Sequence, residues 1–156
     1  MKHERFPAKV QQRVARLIAV SVFTFTLLAV VLEQPWIAAL LVVDFLLRAV
    51  VTPRWSPLAA LARAAAARIS DSSGGTVSYP PKRFAAEIGL VLSVLILATG
   101  LLGLRIVFLS LGGVLVLFSF LEAAFGFCVG CRMFGLMIRF GWIARDKCPE
   151  CAYVPE

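Results

Sequence analysis

The chain has 156 residues, 60% of them hydrophobic, and a formal net charge of +7. A soluble domain is about 45–50% apolar, and a chain this short has too much surface to bury several long apolar helices in water. Composition therefore argues against a soluble globular enzyme. The positive charge would suggest nucleic acid in a soluble protein. Beside apolar runs close to the roughly 20 residues that cross a bilayer, it suggests membrane topology instead. The expected fold class is an all-α membrane protein with four transmembrane helices plus a short interfacial amphipathic helix. The expected partner is the lipid bilayer and not nucleic acid, and an oligomer is compatible with so few spans.

Residues 1–16 form a basic tail with Lys2, Arg5, Lys9, Arg13 and Arg16. The lone His3 lies in this tail and reads as an ordinary solvated side chain. The first span is expected over about 17–32, beginning up to a turn earlier. It is followed at once by Glu33-Gln34-Pro35-Trp36, which has no small-x-small cleavage site, so the run does not read as a signal peptide. A linker that short makes an antiparallel hairpin, with Trp36 at the membrane–water boundary.

The second span is expected over about 36–51. It holds Asp44 and Arg48, which are four residues apart and so share a helix face. Charges inside a membrane face a partner or a cavity, and the simplest reading is a structural ion pair with Arg48 reaching to the surface. Ser56 and Pro57 suit an N-cap and a first helical residue. They open a short Ala-rich helix over about 57–69. Leu58, Leu61, Ala65 and Ile69 fall near one face, as in a helix lying on the membrane surface.

A Ser/Gly-rich connector follows. Pro80-Pro81-Lys82-Arg83 then primes a third span over about 84–103, with Glu87 placed in its first turn to complement the helix dipole. After a tight turn at 100–105 the fourth span runs over about 106–127, with room to continue through Cys128 and Cys131. Lys and Arg concentrate in the N-terminal tail, the 52–83 connector and the C-terminal segment, while the two hairpin turns hold only Arg105. The positive-inside rule then puts both termini on the cytoplasmic side of a bacterial inner membrane.

The chemistry-bearing residues are four cysteines in two Cys-x-x-Cys pairs, Cys128/Cys131 and Cys148/Cys151. Facing the cytoplasm, such pairs argue for redox or metal use over structural disulfides. The spacing Cys-x2-Cys-x16-Cys-x2-Cys falls in the zinc range, and four thiolates close a tetrahedral structural site. Yet the spacer is apolar and basic, and one pair sits at the membrane boundary. Placed at the C-terminal end of a span, Cys128 would meet the wrong end of the helix dipole for a thiolate, although Arg132 one turn on favours one. Gly126, Gly130 and Gly135 thin the helix there and admit a close neighbour. Glu122 lies on a different face from Cys128, since six residues turn 600°. As an intramembrane carboxylate it is either a weaker site candidate or the partner of a charge on a neighbouring helix, with Arg48 one such charge.

Four ordered stretches carry a family resemblance: Asp44-Phe45-Leu46-Leu47-Arg48-Ala49; Pro53-Arg54-Trp55-Ser56-Pro57-Leu58-Ala59; Pro80-Pro81-Lys82-Arg83-Phe84-Ala85; and Phe120 to Cys131. Over about residues 7–138 the sequence resembles a bacterial membrane family catalogued as domain of unknown function 4395. The Cys148/Cys151 tail lies outside that pattern. The resemblance implies a small integral membrane protein associated with thiol-redox and sulfur-transfer proteins, and points first to Cys128 and Cys131, then to Asp44, Arg48 and Glu122.

The expected function is a thiol-dependent membrane component, by disulfide exchange or sulfur transfer, with a thioredoxin-like or sulfurtransferase partner and no cofactor. The alternative is a non-enzymatic membrane anchor or partner subunit in which Cys128, Cys131, Cys148 and Cys151 bind zinc. A small transporter using Asp44, Arg48 and Glu122 is a third reading.

Overall fold

In the computed structural model, residues 9–51, 55–68 and 76–142 are described. The architecture is all-α apart from one short ribbon. Strand β1 (Lys9–Gln11) is followed by α1 (Gln12–Val31), α2 (Pro35–Leu46) with a π-helical turn over Leu47–Val51, and α3 (Pro57–Arg68). Strand β2 (Thr76–Ser78) then leads to α4 (Tyr79–Leu101), α5 (Arg105–Phe125) and α6 (Val129–Arg139). The ribbon pairs β1 and β2 antiparallel, Lys9 opposite Ser78 and Gln11 opposite Thr76. It joins the N-terminal segment to the three residues just before α4, and the Ser/Gly-rich residues 71–75 lie outside the described residues.

The termini of the helices follow from a few residues. Glu33 takes a left-handed conformation (φ 51°) and the Gln34 N–H donates to the Ala29 carbonyl at 3.0 Å, ending α1. Gly103 (φ 71°) and the Leu104 N–H on the Thr99 carbonyl at 2.9 Å end α4 in the same way. Both are the wrap-around C-cap that satisfies the last free carbonyls of a helix. Across the two turns, Arg105 Nε donates to Glu33 Oε1 at 3.1 Å, so one hairpin is tied to the other at this end.

Around the bundle α1 packs against α2, α2 against α4, α4 against α5, and α5 back against α1. Val22, Leu41, Phe45, Ile96, Phe108 and Leu115 fill the centre. Ala19, Ala29 and Ala38 are buried where the helices approach, the small-residue packing expected when lipid removes the usual hydrophobic drive. The outside is apolar too: Val31, Leu40, Val91, Leu102 and Ile106 are exposed. Surfaces that large and apolar mark contact with lipid or protein. Three helices, Gln12–Val31, Pro80–Leu101 and Arg105–Phe125, are long and apolar enough to cross a membrane, and the chain reads as a multi-pass membrane protein.

Two expectations, on the start of α4 and the end of α5, need correction. Helix α4 begins at Tyr79, so Glu87 is not in its first turn; it pairs instead with Arg83 at 3.3 Å. Helix α3 packs on α1 and buries Leu58, Ala59 and Ala62, while Leu61 and Ala65 are exposed, as side chains that face lipid would be. Helix α5 ends at Phe125 and does not run on through the cysteines.

Candidate functional site

Gly126 makes the site. It sits in the left-handed region (φ 68°), where its N–H donates to the Glu122 carbonyl at 3.0 Å and the next N–H, of Phe127, reaches the Leu121 carbonyl at 3.2 Å. Any L side chain pays about 1–2 kcal/mol there. A Cβ would also stand within 2.7–3.2 Å of the Arg16 guanidinium atoms. The chain turns, runs extended through Cys128 (ψ 105°), and starts α6 at Val129.

Cys128 is therefore the N-cap of a new helix, with its Sγ accepting the backbone N–H of Cys131 at 3.3 Å. This reverses the expectation that the pair lies at a helix C-terminus. The dipole that disfavoured a thiolate in the sequence reading favours it here. The glycine, taken in the sequence only for thinness, is what breaks the helix. Gly130 does serve close approach: a Cβ there would lie 2.8 Å from the Ala85 Cα, so α6 rests directly on α4. Phe84 stacks on Phe134 (centroids 5.6 Å apart, 49°) and fixes that contact.

Glu122 does not meet Arg48. Its Oε1 accepts a hydrogen bond from Lys82 Nζ in a largely buried ion pair. Lys82 was counted in the sequence only for topology, yet it belongs to the site. The signal was present: in an antiparallel α4–α5 hairpin, Lys82 and Glu122 lie at about the same distance from the turn at Gly103, so their side chains come level.

The two thiols, outside the spanning helices, titrate very differently. A hydrogen bond from the Cys131 side chain holds the Cys128 thiol below its ordinary range, helped by the nearby Lys82 ammonium and, least, by the Cys131 backbone N–H, and opposed by burial and by Glu122. That same hydrogen bond, with burial and the neighbouring Cys128 charge, pushes Cys131 well up. Of the two thiols, Cys128 is the one on which a negative charge is favoured.

Asp44 and Arg48 form the expected ion pair, but the pair does more than cancel charge. Asp44 is fully buried and its Oδ1 accepts from the Ser56 hydroxyl and, at 3.2 Å, from the Leu58 N–H. Ser56 Oγ in turn accepts the Ala59 N–H at 3.1 Å, the N-cap bond read from the sequence. The Arg48 guanidinium lies over the Phe45 ring, 4.6 Å from its centroid. Arg48 sits in the π-helical turn, an irregularity that often accompanies functional positions.

Between the helices is a partly open cavity of about 150 Å³. Its walls include Val22, Phe45, Leu92, Leu115 and Phe118, and Arg48, Lys82, Ser119, Glu122 and Cys128 also line it. Cys131 is not part of the lining. The site thus joins Cys128, Glu122 and Arg48 from the sequence reading with Lys82. Cys148 and Cys151 lie outside the described residues. Among the described residues, no three His, Cys, Asp or Glu side chains cluster as a metal site would require.

A family model matches residues 10–139, and its description is "Domain of unknown function (DUF4395)". The chain belongs to the DUF4395 family. No curated protein and no solved structure matches the chain. The match begins at the ribbon and ends with the last residue of α6. The Cys128/Cys131 pair is thus inside the DUF4395 region and the Cys148/Cys151 pair is outside it.

Proposed function

We propose that this chain is a membrane-embedded dithiol/disulfide component acting through Cys128 and Cys131. The observation that carries the reading is the Cys131 N–H on Cys128 Sγ at the first turn of α6. A sulfur at a helix N-terminus, beside a cation and one turn from a second thiol, is the arrangement that stabilises a thiolate for exchange. Cys131 is half-buried and Cys128 buried, which divides the labour. A partner thiolate attacks Cys131 Sγ of the disulfide; the S–S bond breaks and Cys128 leaves as thiolate. Its lowered pKa makes it the better leaving group. A second partner thiol, losing its proton, then attacks the partner sulfur of the mixed disulfide and releases Cys131. The partner leaves oxidised and the pair stays reduced.

The membrane setting completes the proposal. The 12 residues of α2 and the 5 of the π-helical turn reach the lower end of the length a span requires, giving four spans with α3 at the interface. Arg16, Arg48, Lys82, Arg83 and Arg132 belong to the end of the bundle that holds the thiols. The positive-inside rule assigns that end to the cytoplasm of a bacterial inner membrane. A thioredoxin-like protein suits the role of partner there.

Site-resolved alkylation of purified protein, equilibrated across a series of dithiothreitol ratios, tests the reading. The expected result is one two-electron transition involving Cys128 and Cys131. Two thiols that never join in a disulfide at any poise overturn it. The competing zinc reading rests on sequence spacing, and one tightly bound zinc per chain, lost on changing either pair, would favour it.

A further inference from the structure

A membrane dithiol that is reduced by a partner must pass its electrons on, and the structure shows what Cys128 faces. Cys128 is buried, yet it is one of the residues that line the cavity between the helices. We propose that this cavity binds the ring of a membrane-dissolved quinone, which accepts the two electrons of the Cys128/Cys131 dithiol. The inference rests on the redox reading of the pair and names its electron acceptor.

Size, polarity and setting point to the same ligand class. A cavity of about 150 Å³ is the volume that accommodates benzene in an engineered protein core, so it admits one six-membered ring. Val22, Phe45, Leu92 and Phe118 suit such a ring. A water-soluble disulfide would meet those apolar walls without hydrogen-bond partners. A lipid acyl chain would fit the walls but make no use of the Lys82–Glu122 pair or the thiol. A quinone uses both: among the lining residues, Lys82 is a donor for a ring carbonyl and Cys128 a nucleophile for the ring's electrophilic carbons.

The step balances. The Cys128 thiolate adds to a ring carbon, forming a C–S bond, and the ring oxygen takes up a proton equivalent to the one Cys128 released. Cys131 then gives up its proton and attacks Cys128 Sγ. The S–S bond forms, the C–S bond breaks, and its electron pair returns to the ring. Dithiol plus quinone yields disulfide plus hydroquinone. Both electrons and both protons originate in the thiols.

The experiment uses the full chain with Cys148→Ser and Cys151→Ser, in nanodiscs, reduced with dithiothreitol and desalted. It is mixed with a short-tailed ubiquinone. Expected are one hydroquinone per chain by ultraviolet absorbance, loss of the two remaining thiols, and a covalent ring adduct on Cys128 when Cys131→Ser removes the resolving thiol. Excess toluene, a redox-inert ring, should slow the reaction by competition without any mutation. Ala86→Leu, which fills the cavity, should slow it by about tenfold or more, the factor for about 1.4 kcal/mol of lost ring binding. Reaction of the same variant with glutathione disulfide reports whether its thiols remain competent. No quinone reduction, with a pair that still cycles against dithiothreitol, overturns the acceptor while leaving the redox reading intact. A pair that cycles with neither sinks both. Quinone reduction at an unchanged rate under competition and in competent Ala86→Leu protein places the chemistry outside the cavity and overturns the proposal.

Discussion

The backbone N–H of Cys131 donates to Cys128 Sγ at 3.3 Å. One peptide group thereby links the two cysteines and holds the first at the positive end of α6. The charge that this contact favours is also the charge that Lys82 faces.

The first consequence concerns titration. A lowered pKa means that the thiolate forms at lower pH, so Cys128 alkylation should rise and level off below the range of a free thiol, near 8.5. Cys131 should react only at higher pH. Site-resolved mass spectrometry of iodoacetamide labelling across pH reads both. Lys82→Met removes a cation that favours the thiolate and should shift the Cys128 midpoint upward.

Gly126 should resist substitution. Gly126→Ala places a side chain at φ 68° against Arg16, at a cost of about 1–2 kcal/mol. The unfolding midpoint in detergent should fall. The continuous helix that the substitution favours takes Cys128 away from its N-cap position, so its alkylation midpoint should rise towards that of an ordinary thiol.

The Lys82–Glu122 pair should show strong coupling. Removing one partner of a buried pair leaves the other uncompensated, at about 3–5 kcal/mol, whereas replacing both costs far less. Lys82→Met and Glu122→Leu should each destabilise more than the double Lys82→Met/Glu122→Leu variant does. A double-mutant cycle by unfolding in mixed micelles measures the difference.

Asp44→Ala should be among the most damaging substitutions in the chain. It removes the Arg48 partner and two donors' acceptor at once, at about 3–5 kcal/mol for the broken ion pair alone. Ser56→Ala, which loses the cap hydroxyl, should cost about 1 kcal/mol. Comparison of the two unfolding transitions checks the order.

Much of this arrangement was legible before any coordinates. Helix positions followed from apolar runs of bilayer length, and Ser56-Pro57 announced the start of α3. The Asp44–Arg48 pair followed from a spacing of four. What escaped was decided by backbone conformation. The residues around Gly126 are apolar on both sides, so hydropathy ran unbroken into Cys128, and nothing in composition distinguishes a glycine that thins a helix from one that ends it. The partner of Glu122 escaped for a different reason. Lys82 was read as a topological charge, and only the level ends of the α4–α5 hairpin reveal that it reaches a carboxylate. The ribbon between β1 and β2 joins segments distant in sequence, whose three-residue strands carry no usable alternation.

The bonds at Asp44 also bear on how the protein assembles. The first turn of α3 is anchored to a carboxylate carried by α2, and α3 itself rests on α1. The first hairpin and α3 are therefore tied to one another by polar contacts, while the larger faces of α1 and α2 wait for α5 and α4. During synthesis this polar tie forms within the first half of the chain, and the second hairpin then covers the apolar faces of α1 and α2 and completes the cavity.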